Sequence, residues 1–351
     1  MTTSPPRVGV LLPCRDEAAV VERRLANLAA LEWPAGVEHR LVVLDDHSCD
    51  DTARLARELL TTRPIAGVRA EVVPNLVRPG KNGAIEAGLA ALEGEVDLVV
   101  LTDADVLVEP GALVALVRAF EREPELGMAC GAQAFVHELD PSGSAPSGVA
   151  RGAGPAAAGW DRWTARARRL ESRVGRLFSV HGQWLAWRAA LDLRPRPGVA
   201  ADDVDLRLQV AAGPCPRVRL VGAARFYETK PPPGAAAEAQ ALRRARAWFQ
   251  VFDGRRRSPG RGWVDRLQWS AYAQLPGSLP EIVPTGAALI LLGAGLALGA
   301  WAALVTLGLL AACAATPAGR EARRTLRVIL QARRLERAQA MPETWEMRRE
   351  S

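Results

Sequence analysis

Short apolar runs alternate with stretches of helical periodicity along the first third of the chain. The apolar runs, each about the length of one buried strand, are residues 7–13, 39–44, 70–74 and 98–102. Apolar residues recur at helical spacing in the segments between and after them, at 20–31, 51–60, 84–92 and 111–123. Strands that alternate with helices in this way are typical of a parallel sheet with right-handed crossovers. The pattern predicts an α/β domain with a mostly parallel sheet flanked by helices.

The hydrophobic pattern is less regular after residue 136. It predicts strands at 128–136 and 217–221 and a strand or a loop around 178–187. It predicts helices at about 161–176, from Asp202 onward and at 235–252. Residues 138–160 are rich in Pro, Gly, Ser and Ala and show almost no periodicity, which indicates a mobile loop. We therefore expect one domain over residues 1–253, made of a half at 1–136, a loop at 137–160 and a half at 161–253.

A long uncharged segment follows this domain. Residues 282–319 contain no charged side chain, and uncharged runs of about 18 or more residues are transmembrane candidates. A buried helix of a soluble core is the alternative. Arginines flank both ends of the segment, which favours a hairpin of two short spans over one tilted span. Trp and Tyr residues within 254–281 predict an amphipathic segment at the membrane surface, and residues 320–351 form a basic tail.

Composition restricts the partners and the compartment. The chain has 351 residues and a formal net charge of +6, and its excess arginine lies mainly in the C-terminal half without interleaved aromatic residues. That distribution favours a solvated or membrane-facing surface over nucleic-acid binding. The five cysteines are scattered, with no Cys-x-x-Cys, which argues against a disulfide framework or a zinc site. Because residues 1–6 are polar and form no signal segment, we expect a cell-membrane protein with its N-terminal domain in the cytosol.

Two acidic residues follow the strand at 98–102. Asp103 and Asp105 are one residue apart, so both side chains would point the same way if the strand continued. Ligands of open α/β sheets bind beyond the carboxyl ends of the strands. Two carboxylates there suit a divalent cation, Mg²⁺ or Mn²⁺, that bridges to a phosphate. The alternative is that these residues only cap the following helix.

Polar residues also follow two other predicted strands. Asp45 and Asp46 end the second strand, where carboxylates can accept hydrogen bonds from a nucleoside, although Ser48 and the acids after it could simply cap a helix. Lys81 follows a Gly-rich turn at the start of a helix, where anions bind favourably. A lysine in an ordinary surface loop is an equally good interpretation of this motif. Three strand ends therefore place polar groups at one edge of the sheet.

The order of these motifs resembles family 2 glycosyltransferases of the GT-A fold. The resemblance covers residues 7–250, and it is carried by five motifs: Pro13-x-x-x-Glu17, Asp45-Asp46-x-Ser48-x-Asp50-x-Thr52, Gly80-Lys81-x-Gly83-Ala84, Asp103-x-Asp105 and Asp202-Asp203-x-Asp205-Leu206. The family acts on nucleotide-diphosphate sugars, so the resemblance implies a UDP- or GDP-linked donor and a divalent cation. The family's Glu-Asp pair corresponds to Asp202-Asp203, with Asp in the first place.

The resemblance also implies a role for each matching residue. Asp105 would bind the metal, and Asp203 would be the general base that deprotonates the acceptor hydroxyl. The donor nucleotide would be bound by Pro13, Glu17, Asp45 or Asp46, Lys81 and Asp103. These roles agree with an inverting transfer, which needs a base opposite the leaving group and positive charge on the diphosphate.

Two further segments are candidates for acceptor and diphosphate contacts. Gln183 and Trp184 precede the base in a position that often forms the floor of the acceptor site, although a packed tryptophan is equally consistent. Arg243, Arg244, Arg246 and Trp248 lie where processive family members carry Gln-x-x-Arg-Trp. Because the stretch 242–248 lacks the Gln and places Trp one position late, it favours transfer of a single sugar. The arginines could contact diphosphate or form a basic surface.

Two other interpretations remain open. The stretch 99–106 resembles the first motif of haloacid-dehalogenase-like phosphatases, but two strand–helix units with their own acids precede it. A degenerate, membrane-anchored binding module is the non-enzymatic alternative. The predicted membrane segment makes a lipid or membrane-associated acceptor our working hypothesis, and the sequence leaves the oligomeric state open.

Overall fold

The structure is a computed structural model that describes residues 4–145, 159–229, 234–252, 262–274 and 316–338, with short pieces between 283 and 311. Its contacts divide the chain into two units, Met1–Pro231 with Pro342–Ser351, and Pro232–Met341. This division falls before the helix at 235–252, which the sequence pattern assigns to the first domain. The two units are described separately.

The first half of unit one is a regular succession of strands and helices. Its elements are β1 (Val8–Cys14), α1 (Val21–Ala29), β2 (His39–Asp45), α2 (Thr52–Thr62), β3 (Val68–Pro74), α3 (Lys81–Ala91) and β4 (Leu98–Thr102). The four strands pair in parallel in the order β3-β2-β1-β4. The strands and helices predicted for this half from hydrophobic periodicity are confirmed.

The second half completes an eight-stranded sheet of order β3-β2-β1-β4-β7-β6-β8-β5. Its elements are β5 (Leu107–Val108), α4 (Ala112–Arg122), β6 (Leu126–Val136), α5 (Gly159–Arg173), β7 (Trp184–Arg188), α6 (Asp202–Ala212) and β8 (Arg217–Thr229). Strand β7 is antiparallel to both β4 and β6, and β5 is antiparallel to β8. The sheet is therefore mixed, and four of its seven strand pairings are parallel, in agreement with the expected mostly parallel sheet. The sequence pattern did not predict the antiparallel pairings of β7 and β5.

Strand β8 is longer than its apolar pattern predicts. The predicted strand ends at Val221, but β8 continues to Thr229 after an irregularity opposite Gly131 and Ala132 of β6. Residues 222–224 are the extra residues of this irregularity, because Val221 pairs with Gly131 and Arg225 with Ala132. The bulge interrupts the sequence pattern without ending the strand.

Two hydrophobic clusters cover the two faces of the sheet. Val8, Val10 and Leu12 of β1 belong to the cluster that includes α1 and α4, whereas Leu11 belongs to the cluster on the other face with α3 and α6. Successive strand residues point to opposite faces, so a central strand covered by helices on both sides is apolar throughout. This explains why β1, β2 and β4 are visible in the sequence as continuous apolar runs.

The start of the predicted loop at 137–160 is packed rather than mobile. Leu139 is buried with Leu107 and Tyr227. Asn27 of α1 donates its side-chain amide to the Gly143 carbonyl (3.0 Å). Residues 146–158 of this loop lie outside the described residues.

The described part of unit two includes the helices α7 (Ala235–Phe252), α8 (Trp263–Trp269) and α9 (Pro317–Ala338). The indole of Trp248 on α7 donates to the Tyr272 carbonyl (2.9 Å) and packs against Phe252, whose ring meets Trp269 edge-on. Parts of the predicted membrane segment 282–319, and of the segments at 254–281 and 320–351, lie outside the described residues. Within the part of the chain that is described, no helix is long and apolar enough to cross a membrane.

Gly131 is expected to tolerate no side chain. A Cβ atom there would lie 2.4 Å from the Ala224 carbonyl oxygen and 2.5 Å from Cδ1 of Trp184. Because overpacking a close-packed core costs about 1–3 kcal/mol, Gly131→Ala should lower the free energy of unfolding by about that amount in urea titrations. Gly222→Ala is the control, since nothing lies within 4 Å of its Cβ position. Equal stabilities of the two variants would contradict this packing.

Candidate active site

The carboxyl ends of β1, β2 and β4 meet at one edge of the sheet. Asp45 is the last residue of β2, and Asp103 directly follows β4. Lys81 and Asp202 are the first residues of α3 and α6. Polar residues from separate parts of the chain therefore lie together at this edge, as predicted, because parallel strands end at the same edge.

Lys81 lies between two carboxylates. Its Nζ atom is 2.9 Å from Oδ1 of Asp103 and 3.4 Å from Oδ2 of Asp202. Burial by itself would lower the pKa of Lys81, but the negative charges of Asp103, Asp202 and Asp203 outweigh it and raise the pKa above its ordinary value. Lys81 is therefore a permanent positive charge that links the residue after β4 to the start of α6.

Asp203 has the properties of a proton acceptor. Burial and the neighbouring negative charge of Asp202 raise the pKa of Asp203 to about 6, against a smaller opposing effect of its hydrogen bond from the Val204 amide. Burial also raises the pKa of Asp202, while Lys81 opposes that rise. A carboxylate with a pKa near the working pH combines a large ionised fraction with useful basicity.

Gly182 leaves room for the Asp203 side chain. A Cβ at position 182 would lie 3.1 Å from Cβ and 3.5 Å from Oδ2 of Asp203, so a larger residue would push the carboxylate. The sequence pattern singled out the two residues that follow, Gln183 and Trp184, but not this glycine. The only signal was its place between polar and aromatic residues shortly before β7.

Arg24 is a functional candidate that sequence reasoning missed. Its guanidinium is fully buried in α1, and its Nε donates to the Asp103 carbonyl (3.0 Å) while its other nitrogens donate to Thr102 and Asn27. Burial lowers the pKa of Arg24 to about 10, although Asp103 raises it. No described carboxylate forms an ion pair with it. The sequence did contain a signal for this residue, because Arg24 is a charged residue on the otherwise apolar face of a predicted helix.

The loops after β1 and β2 are held together by hydrogen bonds. The Asp16 amide donates to Ser48 Oγ (3.1 Å), and the Glu17 amide donates to Thr52 Oγ1 (2.7 Å). Asp16 has a positive φ of 54°, and its Oδ1 accepts from the Cys49 amide (2.7 Å). The hydroxyls of Ser48 and Thr52 therefore position the loop that carries Glu17, and no side-chain hydrogen bond caps α2 at its N-cap residue, Asp51.

Asp45 and Asp46 occupy different environments. Asp46 is fully buried, and its carboxylate accepts from the Gly80 amide (3.0 Å) and the Asn75 side chain (2.7 Å), so it holds the turn before Lys81. Asp45 is partly exposed, and its Oδ1 accepts from the Ser48 amide (3.3 Å). This arrangement leaves Asp45, rather than Asp46, within reach of a ligand. Pro13 is buried in β1 next to them.

Asn82 connects α3, the helix that begins at Lys81, to the segment before Asp202 and Asp203. Its amide donates to the carbonyls of Val199 (2.7 Å) and Arg196 (3.0 Å). Arg196 is held in turn by the buried carboxylate of Asp205 (2.6 Å). Asn82 is another residue that the sequence did not single out, because an asparagine beside a lysine at a helix start is unremarkable by itself.

The Asp103-x-Asp105 pair does not form a closed metal cage. Asp105 is exposed, and Asp103 is paired with Lys81. Among the described residues, no group of three or more His, Cys, Asp or Glu residues could hold a metal. The residues fit a cation of the Mg²⁺ type, which is bound by one or two carboxylates and completed by substrate phosphates and water.

The other predicted contact residues lie in three different settings. Trp184 has no exposed surface and packs in the hydrophobic core, which corrects the expectation that its ring contacts an acceptor. Gln183 is partly exposed and donates its amide to Glu228 (3.1 Å). The arginines at 243, 244 and 246 lie on α7 in unit two, and their contact with diphosphate stays a prediction. Trp248 packs within that unit.

Comparison with known proteins identifies the class of enzyme. The family model described as "Glycosyltransferase like family 2" matches residues 5–247. This match covers more than half of the chain, so the chain belongs to this glycosyltransferase family, and the phosphatase alternative has no support.

Named relatives match a smaller part of the chain. A poly-beta-1,6-N-acetyl-D-glucosamine synthase of Staphylococcus epidermidis is 27% identical over 124 residues, which cover 35% of this chain and 28% of the relative. A beta-monoglucosyldiacylglycerol synthase of Trichormus variabilis is 31% identical over 123 residues, which cover 35% of this chain and 25% of the relative. The chain thus matches only about a quarter of the length of these relatives.

A solved structure resembles this chain over most of its length. It is a mannosyltransferase of Pyrobaculum calidifontis in complex with GDP-Man and Mn²⁺. The TM-score is 0.70 at 24% identity, and the match covers 93% of this chain and 86% of the other. The likeness establishes a mixed α/β, GT-A-like fold.

The environments of Asp45 and Asp46 predict different effects of substitution on stability. Asp46→Asn should lower the free energy of unfolding by about 1–3 kcal/mol, because an amide cannot accept all the hydrogen bonds that now reach the buried carboxylate. Asp45→Asn should change it by less than about 0.5 kcal/mol, since the side chain is partly exposed. Urea titrations of both variants measure the difference. A destabilised Asp45→Asn with an unaffected Asp46→Asn would contradict the assignment.

Proposed function

We propose that this protein is an inverting glycosyltransferase that moves one sugar from a UDP- or GDP-linked donor to the hydroxyl of a lipid or membrane-associated acceptor. The observation that carries the proposal is the group formed by Lys81, Asp103, Asp202 and Asp203 at the carboxyl edge of the sheet. It combines a carboxylate that can accept a proton near neutral pH, Asp203, with the fixed positive charge of Lys81 and a donor-side carboxylate, Asp103.

Asp203 is the proposed general base. The acceptor hydroxyl gives its proton to the Asp203 carboxylate while its oxygen forms a bond to the anomeric carbon and the bond to the diphosphate breaks. Such base assistance contributes roughly 10²–10⁴-fold to the rate. Gly182, which contacts the Asp203 side chain, and Asp202, whose charge raises the pKa of Asp203, set the position and the basicity of this group.

The donor side is assigned to the loops after β1, β2 and β4. Asp45 accepts hydrogen bonds from the nucleoside, and Glu17 lies on the adjoining loop. Asp105, with Asp103 beside it, holds a divalent cation on the diphosphate. When bound, that cation neutralises negative charge that develops on the leaving phosphate. Lys81 pairs with Asp103 and orients its carboxylate.

Transfer of a single sugar is the proposed outcome because α7 departs from the processive pattern. Gln240 does stand three residues before Arg243, just outside the stretch compared above. The departure is therefore confined to the next position, where Arg244 replaces the tryptophan of Gln-x-x-Arg-Trp. Trp248 instead donates its indole N–H to the Tyr272 carbonyl.

Three observations support a membrane-associated acceptor and a location at the cell membrane. The sequence of 282–319 is free of charge and flanked by arginines. On α8, Trp263 and Leu267 are one helical turn apart and remain 72% and 61% exposed. One relative is named as a diacylglycerol glycoside synthase. Apolar side chains on one face of such a helix are suited to the surface of a bilayer.

The rate should depend on the ionisation of Asp203. Protonated Asp203 cannot accept a proton, so kcat/KM should fall as the pH falls through about 6, the pKa of Asp203. Asp202→Asn removes a negative charge that raises this pKa, so the acid limb should move to lower pH. A pH–rate profile of the wild type and this variant measures the shift, and Asp203→Asn should lower kcat by roughly 10²–10⁴-fold. If the acid limb of the pH–rate profile has the same midpoint in Asp202→Asn as in the wild type, Asp203 is not the base.

Asp105 should determine metal-dependent donor binding. Asp105→Ala should bind UDP or GDP in Mn²⁺ no more tightly than the wild type does in EDTA, because the remaining carboxylate, Asp103, is paired with Lys81. Isothermal titration calorimetry measures both affinities. Asp97→Ala is the matched control, since Asp97 precedes β4 and pairs with the exposed Arg7. Full Mn²⁺ dependence in Asp105→Ala would contradict the metal assignment.

A further inference from the structure

Three polar side chains beside the carboxylate group have no role in the chemistry described so far. Gln133 of β6 and Gln183, just before β7, both donate their side-chain amides to Glu228 of β8, at 2.5 and 3.1 Å. Glu228 is only 8% exposed, whereas both glutamines are partly open to solvent. We refer to Gln133, Gln183 and Glu228 as the glutamine cluster.

Gln183 connects the glutamine cluster to the donor-side acids and to Asp203. The backbone carbonyl of Gln183 accepts from Thr102 Oγ1 (2.8 Å), and Thr102 directly precedes Asp103. The residue before Gln183 is Gly182, whose Cβ position contacts the Asp203 side chain. Gln183 is therefore close along the chain and in space to residues that adjoin Asp103 and Asp203.

Glu228 fixes the orientation of both amides. An ionised carboxylate only accepts hydrogen bonds, so each glutamine must turn its NH₂ group towards Glu228 and its oxygen away from it. Within the described part of the chain, neither amide oxygen has a hydrogen-bond partner. The cluster therefore presents two oriented acceptor atoms whose positions are set before any ligand arrives.

We propose that the glutamine cluster binds hydroxyl groups of the acceptor, which therefore carries a sugar or polyol head group with hydroxyls besides the one that attacks. This inference rests on the proposed glycosyltransferase function. Amide oxygens accept from hydroxyls, whereas an ionised phosphate head group offers no donors and would meet the negative charges of Glu228 and Asp203. A site built to hydrogen-bond a hydroxyl discriminates strongly against ligands that lack it.

Three acceptors with the same alkyl chain test the head-group class. The full chain is assayed with UDP-glucose or GDP-mannose and Mn²⁺ on octyl β-glucoside, octanol and octyl phosphate. Octyl β-glucoside offers several hydroxyls, octanol offers only an attacking one, and octyl phosphate offers an anion. The expected result is that kcat/KM for octyl β-glucoside exceeds that for each of the others by at least about 10-fold, the value of one lost hydrogen bond.

Variants of the cluster test which residues are responsible. Gln133→Ala and Gln183→Ala should each raise the KM for octyl β-glucoside by about 10-fold, while the KM for the donor moves by less than about 2-fold. Glu228→Gln, which keeps the shape but no longer fixes the amides, should raise the same KM. The control is Gln209→Ala, because Gln209 also donates to a carboxylate, that of Asp205, but lies farther along α6. It should leave both KM values unchanged.

The possible results separate this inference from the function on which it rests. Unchanged acceptor KM values in the cluster variants overturn it, as do equal use of octanol or preference for octyl phosphate. Hydrolysis of the donor without transfer to any of the three acceptors overturns it as well. If no nucleotide sugar is bound or consumed at all, the glycosyltransferase function itself fails, and the inference fails with it. Thermal unfolding of each variant verifies that it remains folded.

Discussion

Negative charge collected at one edge of a sheet must be balanced, and Lys81 provides that balance. Asp103, Asp202 and Asp203 come from distant parts of the chain, and burial makes their mutual repulsion costly. The ammonium of Lys81 contacts Asp103 and Asp202 directly and leaves Asp203 with the raised pKa. The ion pairs of Lys81 thereby give two carboxylates different properties: Asp103, on the donor side, is paired with a positive charge, whereas Asp203 can accept a proton.

The surrounding polar residues keep this arrangement in place. Asp46 holds the turn before Lys81, and Asn82 ties the same helix to the segment that leads to Asp202. Arg24 supports the backbone of Asp103 from within the core. Each is buried and bonded to backbone atoms of another element. Displacing a lysine by an ångström would disturb both of its ion pairs, so the precision of the site depends on residues that never meet a ligand.

The antiparallel strand β7 brings the acceptor side into the same edge. It pairs Trp184 with Thr102, so the residues just before β7 come next to the acids that follow β4. Gly182 thereby contacts Asp203, and Gln183 lies beside Thr102. A fully parallel sheet would start that strand at the opposite edge, because parallel neighbours begin at the same end. The mixed topology is therefore what joins the donor half and the acceptor half.

The sequence by itself determined the βα succession of the first half, the enzyme family and the candidates Lys81, Asp103 and Asp203. Those features depend on local periodicity and on motif order, which a single chain displays directly. Only the tertiary structure decided that Asp46 and Trp184 are buried, that β7 is antiparallel and that Arg24, Asn82 and Gly182 support the site. Burial and pairing arise from contacts between residues far apart in sequence, which no local pattern specifies.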